Sequence, residues 1–199
     1  MKTYKRRPLS NKTGSGLFLF ALRWRTIEKS GEIWYNNKKR NNGNSCMGKQ
    51  QTSLTVVYYS RSYGYIIVPY AIERNMRCRI AIEPTISLST NTSEDELGSA
   101  VKEGIKIATN APETDIEKNG ENEFWKKTKY KGFRGFSNHF QSININQCEN
   151  LLRIEEWVST PQKGYIKDDS QKAIELSAMI TDTELGAAIK KVFEINGEL

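Results

Sequence analysis

Histidine, cysteine and long apolar runs are all scarce in this 199-residue chain, and each scarcity excludes something. The single histidine, His139, rules out any metal site that needs two imidazoles and leaves one position for a histidine general base. Cys46, Cys78 and Cys148 stand at unrelated spacings with no CxxC pair, which argues against a zinc knuckle and a disulfide framework and fits a reducing cytosol. The longest apolar run, residues 17–22, is closed by Arg23 and Arg25 and falls far short of the ~20 residues that span a bilayer. No transmembrane helix is predicted. Lys2, Lys5, Arg6 and Arg7 imitate the start of a signal peptide, but the ~7–15-residue apolar segment and a small-residue cleavage site are missing. The expected location is the cytoplasm, with no membrane contact and no cofactor.

What is present suits a folded protein. Apolar residues make up 37% of the chain and charged ones 27%, with seven Phe, nine Tyr and four Trp, enough for one domain over residues 1–199 with a real core. The net charge of +7 conceals a dipole: residues 1–80 hold sixteen Lys+Arg and three Asp+Glu, residues 81–199 fourteen and twenty. Such a field steers charged partners rather than choosing a fold.

The decisive feature is a duplication at an offset of 88 residues. Residues 86–102 lie over residues 174–190 without a gap, with eight identities in seventeen positions. Two copies are too few for a solenoid, so one domain with two similar strand-turn-helix units, at 86–109 and 174–197, is expected. In each, isoleucine and leucine alternate with polar residues as in a half-buried strand. Ser93-Glu-Asp-Glu96 and Thr181-Asp-Thr-Glu184 then have the capping-box form, in which the cap hydroxyl and the glutamate carboxylate satisfy each other's backbone N–H. Beyond the caps, Leu97, Ala100, Val101, Ile105 and Ala108 recur at helical spacing, as do Leu185, Ala188, Ile189, Val192 and Phe193. Gly98 and Gly186 occupy the same place in these helices, where glycine costs ~1 kcal/mol relative to alanine. A neighbouring backbone too close to admit a Cβ is the expected reason. An anion site at these helix starts is disfavoured, because Glu96 and Glu184 would repel the anion.

Elsewhere strands dominate. Residues 54–59 and 65–68 are β-branched and aromatic runs joined by Ser60-Arg-Ser-Tyr-Gly64, the form of a hairpin with a five-residue loop, and Pro69 is expected to end the second strand or place it at an edge. Residues 78–82, 141–145 and 151–158 read as further strands, and 17–24 as a buried strand or a short helix. Residues 36–51 and the acidic stretch 109–123 read as exposed loops. The predicted fold is α+β, a mostly antiparallel sheet with two helices packed on it.

Candidate chemistry is sparse. His139 has Ser137, Glu149 and Lys131 nearby in sequence, but no GxSxG or other local pattern exposes a nucleophile, so no catalytic residue is assigned, and a ribonuclease pairing His139 with a lysine and an arginine is the enzymatic alternative. Gly14-Ser-Gly16 and Gly132-Phe-Arg-Gly135 lack the phosphate-loop and dinucleotide fingerprints. Glu113, Asp115, Glu117, Glu121 and Glu123 lack the EF-hand pattern and form either a solvated loop or a docking site for a basic partner. Residues 125–136 interleave Lys126, Lys127, Lys129, Lys131 and Arg134 with aromatic residues, the composition of a nucleic-acid face, but also that of a strand with one wet side.

The doubled pattern, Ile-x-Leu-Ser, a polar turn, then Asp/Glu-x-Glu-Leu-Gly-x-Ala-hydrophobic-Lys, resembles the immunity proteins of bacterial contact-dependent growth inhibition systems. The pieces that carry the likeness are Ser93-Glu-Asp-Glu-Leu-Gly98, Thr181-Asp-Thr-Glu-Leu-Gly186, the Tyr58-Tyr-Ser-Arg-Ser-Tyr-Gly64 turn and the Lys/Tyr-rich segment, spread over about residues 50–195. Residues 1–50 carry no such likeness. The resemblance implies a non-enzymatic cytosolic protein that binds and blocks the toxic C-terminal domain of its cognate effector, often a nuclease. The acidic residues 113–123 are the expected contact. A pI near 9.2 departs from the acidic character expected of an inhibitor of a basic nuclease. The alternative, from another class, is an RNA- or DNA-binding module using residues 125–136.

Overall fold

The computed structural model describes residues 53–115, 124–160 and 164–195, which fall within one compact unit. Residues 17–24 and 36–51, with their expected strand or helix and loop, lie outside the described residues. The described elements run β1 (Ser53–Ser60), β2 (Gly64–Ile72), β3 (Arg79–Ala81), β4 (Ile86–Leu88), α1 (Glu94–Asn110), a 3-10 turn (Phe124–Lys127), α2 (Gly132–Ser137), β5 (Gln141–Cys148), β6 (Leu151–Thr160), β7 (Gly164–Lys167), β8 (Ile174–Ser177) and α3 (Asp182–Ile195). The eight strands form one antiparallel sheet in the order β3-β2-β1-β5-β6-β7, with β4 also on β2 and β8 also on β6. This is the α+β architecture that the sequence predicts.

The duplication extends well beyond the two matched units. Strands β1 to β4 and helix α1 are repeated in order, pairing and position by β5 to β8 and α3. At the join, β1 pairs with β5 so that Val56 faces Asn144, residues 88 apart. Residues i and i+88 face each other in this way only at a pseudo-two-fold axis. Above the sheet, Asp95 Oδ1 accepts a hydrogen bond from Thr183 Oγ1 at 3.1 Å, again across an interval of 88. Two acidic residues at that axis would repel, and the threonine removes the repulsion.

Both expected capping boxes form. Glu96 N–H donates to Ser93 Oγ at 3.2 Å and Ser93 N–H to Glu96 Oε2 at 3.0 Å. Glu184 N–H donates to Thr181 Oγ1 at 3.2 Å and Thr181 N–H to Glu184 Oε2 at 3.1 Å. The glycines are where the two helices meet. A Cβ on Gly98 would lie 1.8 Å from the carbonyl oxygen of Asp182, and one on Gly186 would lie 1.8 Å from that of Glu94. Each glycine therefore admits the backbone of the other copy's first turn, so these residues seat helix on helix rather than helix on sheet. The lysines reciprocate too. Lys102 Nζ donates to the Ile180 carbonyl at 2.5 Å and Lys190 Nζ to that of Thr92 at 2.7 Å. Each spans to the turn before the partner helix, and Lys102 also pairs with Asp182 at 2.5 Å. Two positive helix ends lie side by side here, and Glu94, Asp95, Glu96, Asp182 and Glu184 counter them.

Helices α1 and α3 cover one face of the sheet, burying Leu97, Val101, Leu185 and Ile189 against Val57, Ile67, Ile143 and Ile154. On the other face the copies differ. Phe124, Trp125, Phe136 and Phe140 pack over Leu54, Val56, Tyr58, Ile66 and Val68, and buried Tyr165 donates its hydroxyl to the Phe140 carbonyl at 2.7 Å. In the second copy, the positions corresponding to Ile66 and Val68 are Arg153 and Glu155, joined by an ion pair of 2.7 Å that Lys167 and Glu175 extend. That half of the face carries charge where the first carries an apolar cover.

Several local expectations need correction. Pro69 lies inside β2, opposite Thr55 of β1. Its carbonyl accepts from Ile82 N–H on the far side, so its missing N–H points the same way, into the gap between β4 and β3, where no ladder bond is lost. Ser60 and Gly64 pair, leaving a three-residue turn instead of a five-residue loop. Strand β5 continues past Ile145 to Cys148, and Thr109 and Asn110 close α1 rather than opening a loop.

Alanine at Gly98 or Gly186 is expected to destabilise the protein by ~3 kcal/mol, since backbone overlap outweighs the ~1 kcal/mol gain in helix propensity. Denaturant midpoints check this. Gly135→Ala in α2 is the control, because its Cβ would meet nothing nearer than 3.8 Å, and it should leave stability unchanged or slightly raised.

Candidate functional site

A cavity of about 690 Å³ opens at the end of the sheet where the C-terminal ends of β1 and β6 and the N-terminal end of β5 meet the last turns of α3. The turn residues Arg61 and Ser62 form one lip, and Asn138 and His139 another. Strand alternation sorts the walls. Tyr59 faces Gln141 across the β1–β5 ladder, and Ile143, two residues along, faces Glu156 of β6. Tyr59, Gln141 and Glu156 therefore share the face covered by α3, whose Phe193 and Glu194 complete the wall. Trp157 belongs to the opposite face, toward Tyr130 and His139.

An aromatic stack lines the helix side. Tyr59 lies 4.7 Å from Tyr65 and 5.3 Å from Phe193 between ring centroids. Burial, followed by the neighbouring Tyr59 and the Glu194 carboxylate, pushes the Tyr65 phenol up to about 12. Charge in the cleft is mixed: Arg61 and Lys190 against Glu156 and Glu194. Lys190 is committed to the Thr92 carbonyl. Gln141 Oε1 is buried with no hydrogen-bond partner. A surface with aromatic walls, two carboxylates and an unmet acceptor can hold a donor-rich polar group of a partner.

The pseudo-two-fold axis generates a twin of this cleft in the other copy. It measures about 270 Å³ and is lined by Lys102, Ile105, Lys106, Gln147, Leu152 and Ala178, the counterparts of Lys190, Phe193, Glu194, Tyr59, Tyr65 and Thr90. The aromatic residues and the helix carboxylate are found in one copy alone.

The residues singled out by sequence lie elsewhere for the most part. Glu113 is exposed and accepts an ion pair from Arg77, while its carbonyl accepts from Arg74 Nη2 at 3.5 Å. Asp115 is half-buried, and Glu117, Glu121 and Glu123 lie outside the described residues. Neither Glu113 nor Asp115 lines the cleft. In the basic-aromatic segment, Trp125 and Phe136 are core residues, because 124–137 forms a 3-10 turn and a short helix rather than a strand. Lys127 Nζ bonds Glu83 Oε1 at 2.8 Å and Thr85 Oγ1 at 2.9 Å. Burial pushes the Glu83 carboxyl up, but these bonds, the Thr85 N–H and the Lys127 charge together hold it below its usual value. Lys129 lies over the Tyr130 ring at 5.4 Å, Lys131 caps α2 through its backbone, and Lys126 and Arg134 are exposed. His139 does reach the cleft, stacked on Tyr130 at 4.4 Å. The Tyr58–Gly64 turn, quoted above for its family likeness, supplies Tyr59, Ser60, Arg61 and Ser62 to the lining.

No family model and no curated protein matches the chain. Several solved structures do match in shape, among them the following two. A protein of unknown function from Neisseria meningitidis aligns over 71% of this chain and 94% of its own, with a TM-score of 0.53 and 18% identity. A chain of a CdiA-CT/CdiI toxin and immunity complex from Yersinia pseudotuberculosis aligns over 69% of this chain and 93% of its own, with a TM-score of 0.52 and 15% identity. The fold is shared with both. At these identities the likeness is one of fold.

The Tyr65 phenol supplies a direct check of the cleft's geometry. The difference between the ultraviolet titrations of the protein and its Tyr65→Phe variant is expected to place the Tyr65 phenol near pH 12, and Glu194→Gln to bring that value down. Because the folded phenol holds its proton more tightly than the unfolded one, its contribution to stability is full below pH 10 and falls as pH rises toward 12. A Tyr65 midpoint at 10, unmoved by the substitution, would contradict the arrangement.

Proposed function

We propose that this chain is an immunity protein that binds the toxic C-terminal domain of a cognate contact-dependent growth inhibition effector in the cytoplasm and neutralises it stoichiometrically, without catalysis. The observation that carries the reading is the fold shared with a chain of a toxin and immunity complex over 69% of the length. The doubled Glu-Leu-Gly units found in sequence support it. The cleft supplies a place for the toxin: a preformed concavity with aromatic anchors and a charged rim, the composition of protein-protein hot spots. Toxins of the family it resembles are often nucleases, so a nuclease is the expected target, and an interface of ~1,600 Å² is expected.

The test starts from the gene directly upstream, which is expected to encode a large secreted protein, and uses the C-terminal domain of that protein. Co-expression is expected to yield a one-to-one complex, to protect cells from that domain and to leave them sensitive to toxins from other systems. Binding should weaken only modestly between 50 and 200 mM salt. Absence of both complex and protection would overturn the proposal. So would tight binding of RNA or DNA that falls in proportion to log salt, the behaviour of a nucleic-acid module using Lys126, Lys127, Lys129, Lys131 and Arg134.

A further inference from the structure

Resting on that reading, we infer that the larger cleft receives an arginine side chain of the partner, held by Gln141 Oε1 and the carboxylates of Glu156 and Glu194 beside the Tyr59 ring. The three polar groups lie toward one face of the sheet end, Gln141 opposite Tyr59 and Glu156 opposite Ile143, with Glu194 on the last turn of the covering helix. All three are acceptors. Gln141 Oε1 is buried without a donor, and Glu194 forms no ion pair among the described residues.

Comparison with the twin cleft isolates what this one has acquired. The counterparts of Gln141, Glu156 and Glu194 are Ser53, Pro69 and Lys106, and that of Tyr59 is Gln147. Lys190 is common to both copies as Lys102, and each reaches a carbonyl of the opposite cap turn, so it serves the fold. Arg61 stands exposed in a turn whose counterpart is one residue shorter. The carboxylates and the aromatic wall therefore distinguish the larger cleft. A guanidinium suits them: it carries five donors in a plane, bridges carboxylates, stacks on a tyrosine face and loses less hydration than an ammonium. A neutral side chain would leave the Glu194 carboxylate covered and unpaired, which is costly.

Two measurements separate this inference from the immunity reading. In the first, the isolated protein is titrated with arginine amide and with citrulline amide, its neutral isostere, while backbone amide resonances of the cleft are followed by NMR. Arginine amide should shift Tyr59, Gln141 and Glu156 at millimolar concentration, and citrulline amide should not. Glu194→Lys should abolish the shifts, and this variant is expected to fold because lysine occupies the same place in the twin as Lys106. Equal responses to the two probes, or a response that survives Glu194→Lys, would overturn the inference whatever the toxin does. In the second, affinity for the upstream-encoded domain should fall at least ~30-fold in Glu194→Lys and ~10-fold in Glu156→Gln, mostly through faster dissociation, while Lys106→Gln in the twin stays within about twofold. Wild-type affinity in both cleft variants would likewise overturn it and leave the immunity reading standing. Failure of the unaltered protein to bind that domain counts against the immunity reading, and the small-molecule titration still decides the inference.

Discussion

Two helix starts lie backbone against backbone, and this contact governs how the rest of the molecule is assembled. Gly98 and Gly186 each leave room for the carbonyl of the residue that opens the opposite helix, so neither helix can take its place without the other. Such proximity brings two positive helix ends together. The acidic first turns, the Asp95–Thr183 bond at the axis and the crossed lysines compensate for that. The sheet follows the same operation, because β1 and β5 meet at the equivalent pair Val56 and Asn144. The fold is a fused pair of ββββα units with one continuous core under the helices.

The candidate site lies where the symmetry fails. The segment between α1 and β5 covers the outer face of the first copy with Phe124, Trp125, Phe136 and Phe140. The same segment brings Asn138 and His139 to the rim of the larger cleft, which its twin lacks. Charge diverges in parallel: Glu194 against Lys106 on the helices, and the Arg153–Glu155 pair against Ile66 and Val68 on the sheet. A duplicated scaffold can diverge on one side because the seat at the axis keeps both copies in place.

Much of the scaffold was legible in the sequence, and for physical reasons. Ser93 with Glu96 and Thr181 with Glu184 are local devices, complete within four residues, so their chemistry is visible without a structure. The need for glycine at 98 and 186 was readable from its cost in a helix, but not its partner, since the backbone it meets is 84 or 92 residues away. Pro69 misled because its rule assumes a ladder on both sides, and it falls between the β3 and β4 ladders, where only its carbonyl is used, by Ile82 N–H. Residues 125–136 misled through composition: Phe124 and Trp125 sit in the 3-10 turn and Phe133 and Phe136 one turn apart in α2, and lysine alternation hid this. The cleft had no signature at all. Tyr59, Gln141, Glu156 and Glu194 come from four elements, and only strand register and helix docking bring them to one wall.

Native-state hydrogen exchange tests the helix seat most directly. If each helix start is locked into the other, the slowest amides of α1 and α3 should share one opening free energy equal to that of global unfolding, since neither helix can detach alone. Exchange of α3 through an independent, less stable opening, with α1 still protected, would contradict the reciprocal seat and with it the claim that the two copies stand or fall together.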